Sequence, residues 1–229
     1  MALMEYREIL QSFPAASDYL AAMYLIRRDD GIITNSRIAS WLKVSRPAVS
    51  QAVKRLKILG YLSQERYGDI ALTKDGEDFA VKMLRRHYLL EHFLLKNLNM
   101  TWDEIDEEAK HLQNNISDKF AEKMYEVLGR PQTCPHGNPI PGSPGEQKIL
   151  NAPSIQLLKP QDTFILMRIS EEGEETEGLL SFIYENNIKL GDCFTVIQRT
   201  ERGIELSAED KQRILIPAGY TPHLRYTMQ

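Results

Sequence analysis

Only two cysteines, Cys134 and Cys193, occur in the 229 residues. They are too few and too far apart for a disulfide framework, and a reducing compartment would keep them as thiols. No apolar run approaches the ~20 residues that a bilayer span requires. The opening MALMEYREIL also lacks the basic-then-apolar layout of a secretion signal. The expectation is a cytoplasmic chain with no membrane partner. A glycine-rich phosphate loop, a nucleophile elbow and a zinc-protease helix motif are all missing. A metal-dependent hydrolase built on His87, Glu91, Asp106 and His111 therefore has no supporting motif, and the chain is not read as an enzyme. There is no internal repeat and no low-complexity tract.

The net charge of -4 looks wrong for a nucleic-acid ligand until it is divided along the chain. Residues 1–100 carry a surplus of four basic residues, and 101–229 a surplus of eight acidic ones. Between 35 and 66 the balance is seven basic residues against the single acid Glu65. That local footprint coincides with a run of short elements. A helix is predicted over 17–28, with Ser17 as its cap and Tyr19, Leu20, Met23, Tyr24 and Ile26 on one face. A second follows from Asn35, read as its cap, to Leu42, and a third from about Ser45 to Leu59, with Pro47 in its first turn and Gly60 as terminator. YLSQERYGDIALT then reads as a hairpin turning at Tyr67-Gly68-Asp69. Three helices and a hairpin make the winged-helix order.

Helical patterns resume at 74–97, 102–114 and 117–128 before GRPQTCPHGNPIPGSPGE, a linker dense in proline and glycine. Short β-like runs follow (DTFILMRI, CFTVIQRT, GIELS, RILIP) with one helical stretch at 177–186, which suits a small β-barrel. The fold class is mainly α with a small β part. The divisions are a winged helix-turn-helix at 1–76, a helical dimerisation domain with its linker at 77–146, and an SH3-like domain at 147–229.

A recognition helix needs short polar side chains that reach base edges, basic residues around it for phosphates, and an apolar rear face. The third helix offers Ser45, Arg46, Pro47, Ala48, Ser50 and Gln51 at its groove end. Gln51 can bond adenine bidentately, and Arg46 can take a phosphate or guanine. Val49, Val53, Leu56 and Leu59 form the rear stripe. Ser36, Arg37, Lys54, Arg55 and Arg66 are placed for backbone contacts, so double-stranded operator DNA is the expected partner. Any solvated helix can show such a polar face; the hairpin and the local basicity set this one apart.

The stretches RIASWLKVSRPAVSQAVKRLKILGYL, LTKDGEDFAVKMLRRHYLLEHFL and CPHGNPIPG resemble the metal-dependent repressors that include the diphtheria toxin repressor, the iron-dependent regulators and the manganese transport regulators. The resemblance implies a winged helix, a helical dimerisation domain and a small SH3-like (FeoA-type) domain. It also implies a homodimer on a palindromic operator, repressing metal-homeostasis genes when Mn2+ or Fe2+ is bound.

One metal site of that family would fall on Asp18, Lys110, Gln113 and Asn114. Asp18 suits a cation. A lysine repels one, and amides are weak donors beside carboxylate, thiolate or imidazole, so an Asp18–Lys110 ion pair is expected where the ion would sit. The companion site would fall on His87 and Glu91, which share a helix face at i and i+4, on Asp106, and on an acid from the loop Glu171, Glu172, Glu174, Glu175, Glu177. His87 and Glu91 read equally as a satisfied helical histidine and its ion-pair partner. His92 and His223 are read as structural. Cys134 and His136 are assigned to the linker motif, with the thiol open to oxidation if exposed. The competing reading is a regulator of the same fold that has lost metal gating and answers another ligand or partner.

Overall fold

The computed structural model describes residues 6–64, 70–208 and 213–229. Its backbone falls into two compact units, residues 1–87 with 111–117, and 88–110 with 118–229.

In the first unit, α1 (Tyr6–Ser12) leads into α2 (Ala16–Asp30), α3 (Asn35–Trp41) and α4 (Arg46–Ile58). Ser17 does not cap α2: it lies inside the first turn, where its hydroxyl donates to the Pro14 carbonyl at 3.3 Å. Thr34, rather than Asn35, caps α3, its Oγ1 accepting from the Arg37 amide at 3.2 Å. Ser45 does the same for α4, accepting from the Ala48 amide at 3.3 Å. Each such bond satisfies an amide that the helix itself leaves orphaned. Leu20, Met23, Ile26, Ile38, Val49 and Leu56 are buried.

The hairpin pairs β1 (Leu62–Gln64) with β2 (Ile70–Leu72), Leu62 opposite Leu72. Its expected turn at Tyr67-Gly68-Asp69, and Arg66, lie outside the described residues. Next comes α5 (Lys74–Leu98). Gly76 in its first turn has a steric reason, because a Cβ there would stand 2.1 Å from the Tyr61 carbonyl oxygen. That close approach lets Tyr61 pack edge-on against Phe79, with ring centroids 5.5 Å apart.

The second unit holds most of α6 (Trp102–Leu112), all of α7 (Asp118–Val127) and the short α8 (Glu146–Leu150). Both α6 and α7 stop one or two residues short of the expected ends. A five-stranded antiparallel sheet follows: β3 (Thr163–Ile169), β4 (Cys193–Thr200), β5 (Gly203–Ala208), β6 (Arg213–Pro217) and β7 (Leu224–Met228), in the order β6-β5-β4-β3-β7. β3 to β6 lie side by side in chain order, and β7 returns beside β3, an arrangement that fits the SH3-like reading. Between β3 and β4 lie α9 (Glu171–Glu174) and α10 (Leu179–Glu185). Phe164, Leu166, Ile183, Phe194, Val196, Ile204, Leu206 and Ile216 form the core. Four elements lie outside the expectation: α1 and α8 are only one or two turns long, the acids of α9 form a helical turn where a loop is expected, and LRYTM of β7 carries no clean alternation.

Candidate functional site

Two sets of side chains carry functional chemistry. The first lies on α4. Ser45, Arg46, Pro47, Ser50, Gln51, Lys54 and Arg55 are exposed and Ala48 is half-buried, while Val49, Ala52, Val53 and Leu56 are buried. Leu59, expected in the buried stripe, is the half-buried C-cap residue, and Ala52 supplies the remaining rear contact. Ser36 is exposed at the start of α3. Asn35 donates to the Ser50 hydroxyl at 3.3 Å, which in turn donates to the Arg46 carbonyl at 3.1 Å. Two cations of the expected set have intramolecular tasks. Arg55 donates to the Ser12 carbonyl at 2.6 Å and lies 4.8 Å over the Phe13 ring, and Arg37 donates to the Ile32 carbonyl at 3.1 Å. Arg46 and Lys54 remain as exposed cations of the α4 surface.

The second set is buried in the second unit. The segment from Cys134 to Asn138 folds as a tight turn: the Cys134 amide donates to the Asn138 carbonyl at 2.7 Å and the Gly137 amide to the Cys134 carbonyl at 3.0 Å. Gly137 has φ +88°, and a Cβ there would meet the Met167 carbonyl oxygen at 2.5 Å. Only glycine lets this turn lie against β3. The Ile169 amide then donates to the His136 carbonyl at 2.9 Å. Asn138 bridges the same elements, donating to the Ile169 carbonyl at 2.8 Å and accepting from Arg168 at 2.8 Å.

The turn aims Cys134 and His136 at Glu91 of α5. One donor atom of each lies within 4.8 Å of the other two. His136 Nδ1 is 3.5 Å from Glu91 Oε1 and 3.3 Å from Glu174 Oε2. The Cys134 sulfur stands 3.9 Å from His136 Nδ1 and 3.9 Å from Glu174 Oε1. Asn138 also donates to Glu174, and the Trp102 indole packs edge-on to the imidazole at 5.1 Å. Glu91 and His136 are fully buried and Cys134 nearly so, which closes the oxidation route open to an exposed thiol. Burial pushes the Cys134 thiol well up, and the Glu174 and Glu91 carboxylates add to it. Burial alone would lower the His136 imidazole; Glu174 and then Glu91 outweigh it and raise it to about 9.

A cysteine sulfur, an imidazole and two carboxylates make a donor set suited to a divalent transition metal, whose binding would displace the thiol proton. The residues present therefore fit a metal. The signal available in the sequence was the Cys-Pro-His spacing, which sets two donors on one tight turn; what pairs them with Glu91 is tertiary.

The expected ligands are distributed as follows. His87 is buried on α5, its Nδ1 3.1 Å from Gln113 Oε1. Asp106 meets the Lys110 ammonium at 2.7 Å, and Lys110 also reaches Glu175 at 2.6 Å. Lys110 is thus engaged with these two acids, in place of the expected ion pair with Asp18. Asp18 is exposed in the first turn of α2 and accepts from Ser17 at 3.3 Å. Asn114 donates to the Ser17 hydroxyl at 3.2 Å. Lys110 offers an ammonium and Gln113 Oε1 meets His87, so neither of these two positions supplies a donor to a cation. His92 is structural as expected, its Nε2 2.6 Å from the Thr133 carbonyl.

No helix among the described residues is long and apolar enough to cross a membrane. Residues 13–70 match the N-terminal DNA-binding domain of the iron-dependent repressors, and 73–142 match their metal-binding and dimerisation domain. The chain is 33% identical over 124 residues to the iron-dependent repressor IdeR of Mycobacterium leprae, covering 54% of each chain. It thus spans about half the length of the curated relatives it matches. A manganese-dependent transcriptional repressor solved with manganese superposes with a TM-score of 0.79 at 27% identity, over 93% of this chain and 100% of that one. The crystal structure of IdeR from T. acidophilum shares the fold over 100% of both chains, with a TM-score of 0.71 at 24% identity. With both characteristic domains matched in order, the chain belongs to the iron-dependent repressor family.

Proposed function

We propose that the protein is a homodimeric, sequence-specific DNA-binding transcriptional regulator of iron or manganese homeostasis genes, acting in the cytoplasm, with operator binding modulated by Mn2+ or Fe2+. The observation that carries the metal part is the buried meeting of Glu91, Cys134 and His136. These three would hold the ion, with Glu174 as a fourth donor. His87 shares the α5 face of Glu91 and extends the donor set; Asp106, the further ligand expected from the sequence, is drawn on by Lys110. The ion would supply a positive charge that ties α5, the linker turn and α9 together.

DNA reading is assigned to α4, with Gln51 and Arg46 at base edges, and Ser36, Ser45, Ser50 and Lys54 beside them. Arg37 and Arg55, whose guanidinium groups donate to the Ile32 and Ser12 carbonyls, contribute through these contacts more than through phosphate. Dimerisation is supported by exposed apolar side chains on the helical segment: Phe120 and Val127, 46% and 76% exposed and seven residues apart on α7, and Leu98 at the end of α5. A two-fold dimer would set two copies of α4 on a symmetric site about one or more DNA turns apart.

The test is binding of the full chain to DNA from its own promoter region, with Mn2+ or Fe2+ and with chelator. The proposal expects tighter binding with metal, as a dimer, at a two-fold symmetric sequence. Equal affinity in both conditions would remove the metal part, and no preference over random DNA would remove the regulator part.

A further inference from the structure

The family's metal chemistry leaves one charged feature of the second unit unexplained. Lys110 extends from α6 with its ammonium 2.7 Å from Asp106, one turn back on the same helix, and 2.6 Å from Glu175, which terminates α9. Neighbouring acids of α9 also meet partners from other segments. Tyr88 of α5 donates to Glu171, and Asn138 of the linker turn donates to Glu174, beside His136. Each acid that α9 sends inward is therefore received by a donor that the chain carries itself.

We propose that Lys110 is a tethered cation that holds α9 against α6 whether or not a metal ion is bound, and so keeps Glu174 presented at the Cys134 and His136 turn. The physical logic is that of a bridging ion. A cation between carboxylates of two segments couples those segments, and an ammonium on a four-carbon stem does so without ever dissociating into solvent. Burial works against the Lys110 charge, but Asp106 and then Glu175 more than compensate and raise its pKa. With its side chain 46% exposed, the pair is screened and modest in strength. Holding a four-residue helix in register needs no more than that, because Tyr88 and Asn138 bear on the same element. Lys110 is a positioning residue in this scheme, acting on the site through α9. The docking claim stands apart from the regulator reading; only its consequence for Glu174 rests on it.

The experiment is backbone hydrogen exchange on the full chain in chelator, without DNA, comparing the parent with Lys110→Met, Lys110→Arg and Glu175→Gln. Exchange at residues 173–176 should quicken by about two- to fivefold in Lys110→Met and Glu175→Gln, as for partial release of a locally docked element held by a screened pair. Lys110→Arg should stay close to the parent, and β3, β4 and α7 should be unchanged in every variant. Parent-like protection of α9 in Lys110→Met would overturn the proposal. So would a loss spread evenly over the sheet, which would show a general structural role, or a Lys110→Arg variant that behaves like Lys110→Met. Failure of metal-dependent DNA binding would leave this exchange pattern untouched, so the two readings fail separately.

Discussion

The α4 surface and the linker turn are both short, polar and functional, yet they are built in opposite ways. On α4 the candidate side chains other than the half-buried Ala48 meet solvent, and the apolar residues behind them anchor the helix. At the linker turn three donors from α5 and residues 134–136 converge in the interior, each enclosed by the others. A surface site is thus a property of one element, and a buried site a property of how elements meet. The first tolerates single substitutions with local loss, whereas the second loses its ligand geometry as a whole.

The largest effect should follow from breaking the buried set. Cys134→Ser and His136→Ala should each weaken divalent-metal binding by about 100-fold or more, since even the outer partners of a metal ligand are worth ~10–100-fold. His87→Ala should cost less than either. Calorimetric titration of the chelator-stripped protein reads this directly, and a His87→Ala loss exceeding that of His136→Ala would move the ion's centre toward α5.

On the surface side, Gln51→Ala should weaken cognate operator binding by ~1–3 kcal/mol and leave random DNA nearly unaffected. Equal losses on both would show that Gln51 reads no base. Smaller again is the helix cap: Thr34→Ala should cost about 1 kcal/mol of stability in denaturant unfolding, with the metal affinity unchanged. The finest distinction separates two neighbouring cations. Lys54→Ala should reduce the salt slope of DNA binding by about one phosphate contact. Arg55→Ala, whose guanidinium holds Ser12 and Phe13, should lower the melting temperature and change that slope less.

The same contrast explains what could be read from the sequence. Helix α4, its Ser45 cap and Pro47 are written locally, in side-chain type and 3.6-residue spacing, and the structure reproduces the helix to within a residue. At α3 the cap is Thr34 and not Asn35, because threonine and asparagine are both competent and only backbone geometry chooses between them. β7 escaped notice because its burial runs from Leu224 outward without alternation. Glu91 was legible as one half of an i, i+4 pair. That it faces Cys134 and His136 depends on Gly137 allowing the turn to approach β3, a tertiary fact that residue spacing does not record. The engagement of Lys110 with Asp106 and Glu175 is of the same kind: its unsuitability as a ligand was plain from its charge, its partners were not.

The central claim is that metal bound at the linker turn modulates operator binding. Its most direct test is fluorescence anisotropy of an operator fragment titrated with the parent and with His136→Ala, each in chelator and at the Mn2+ concentration that just saturates the parent. The account predicts that the two proteins bind alike in chelator and that Mn2+ tightens the parent only. Tightening of equal size in His136→Ala would contradict it.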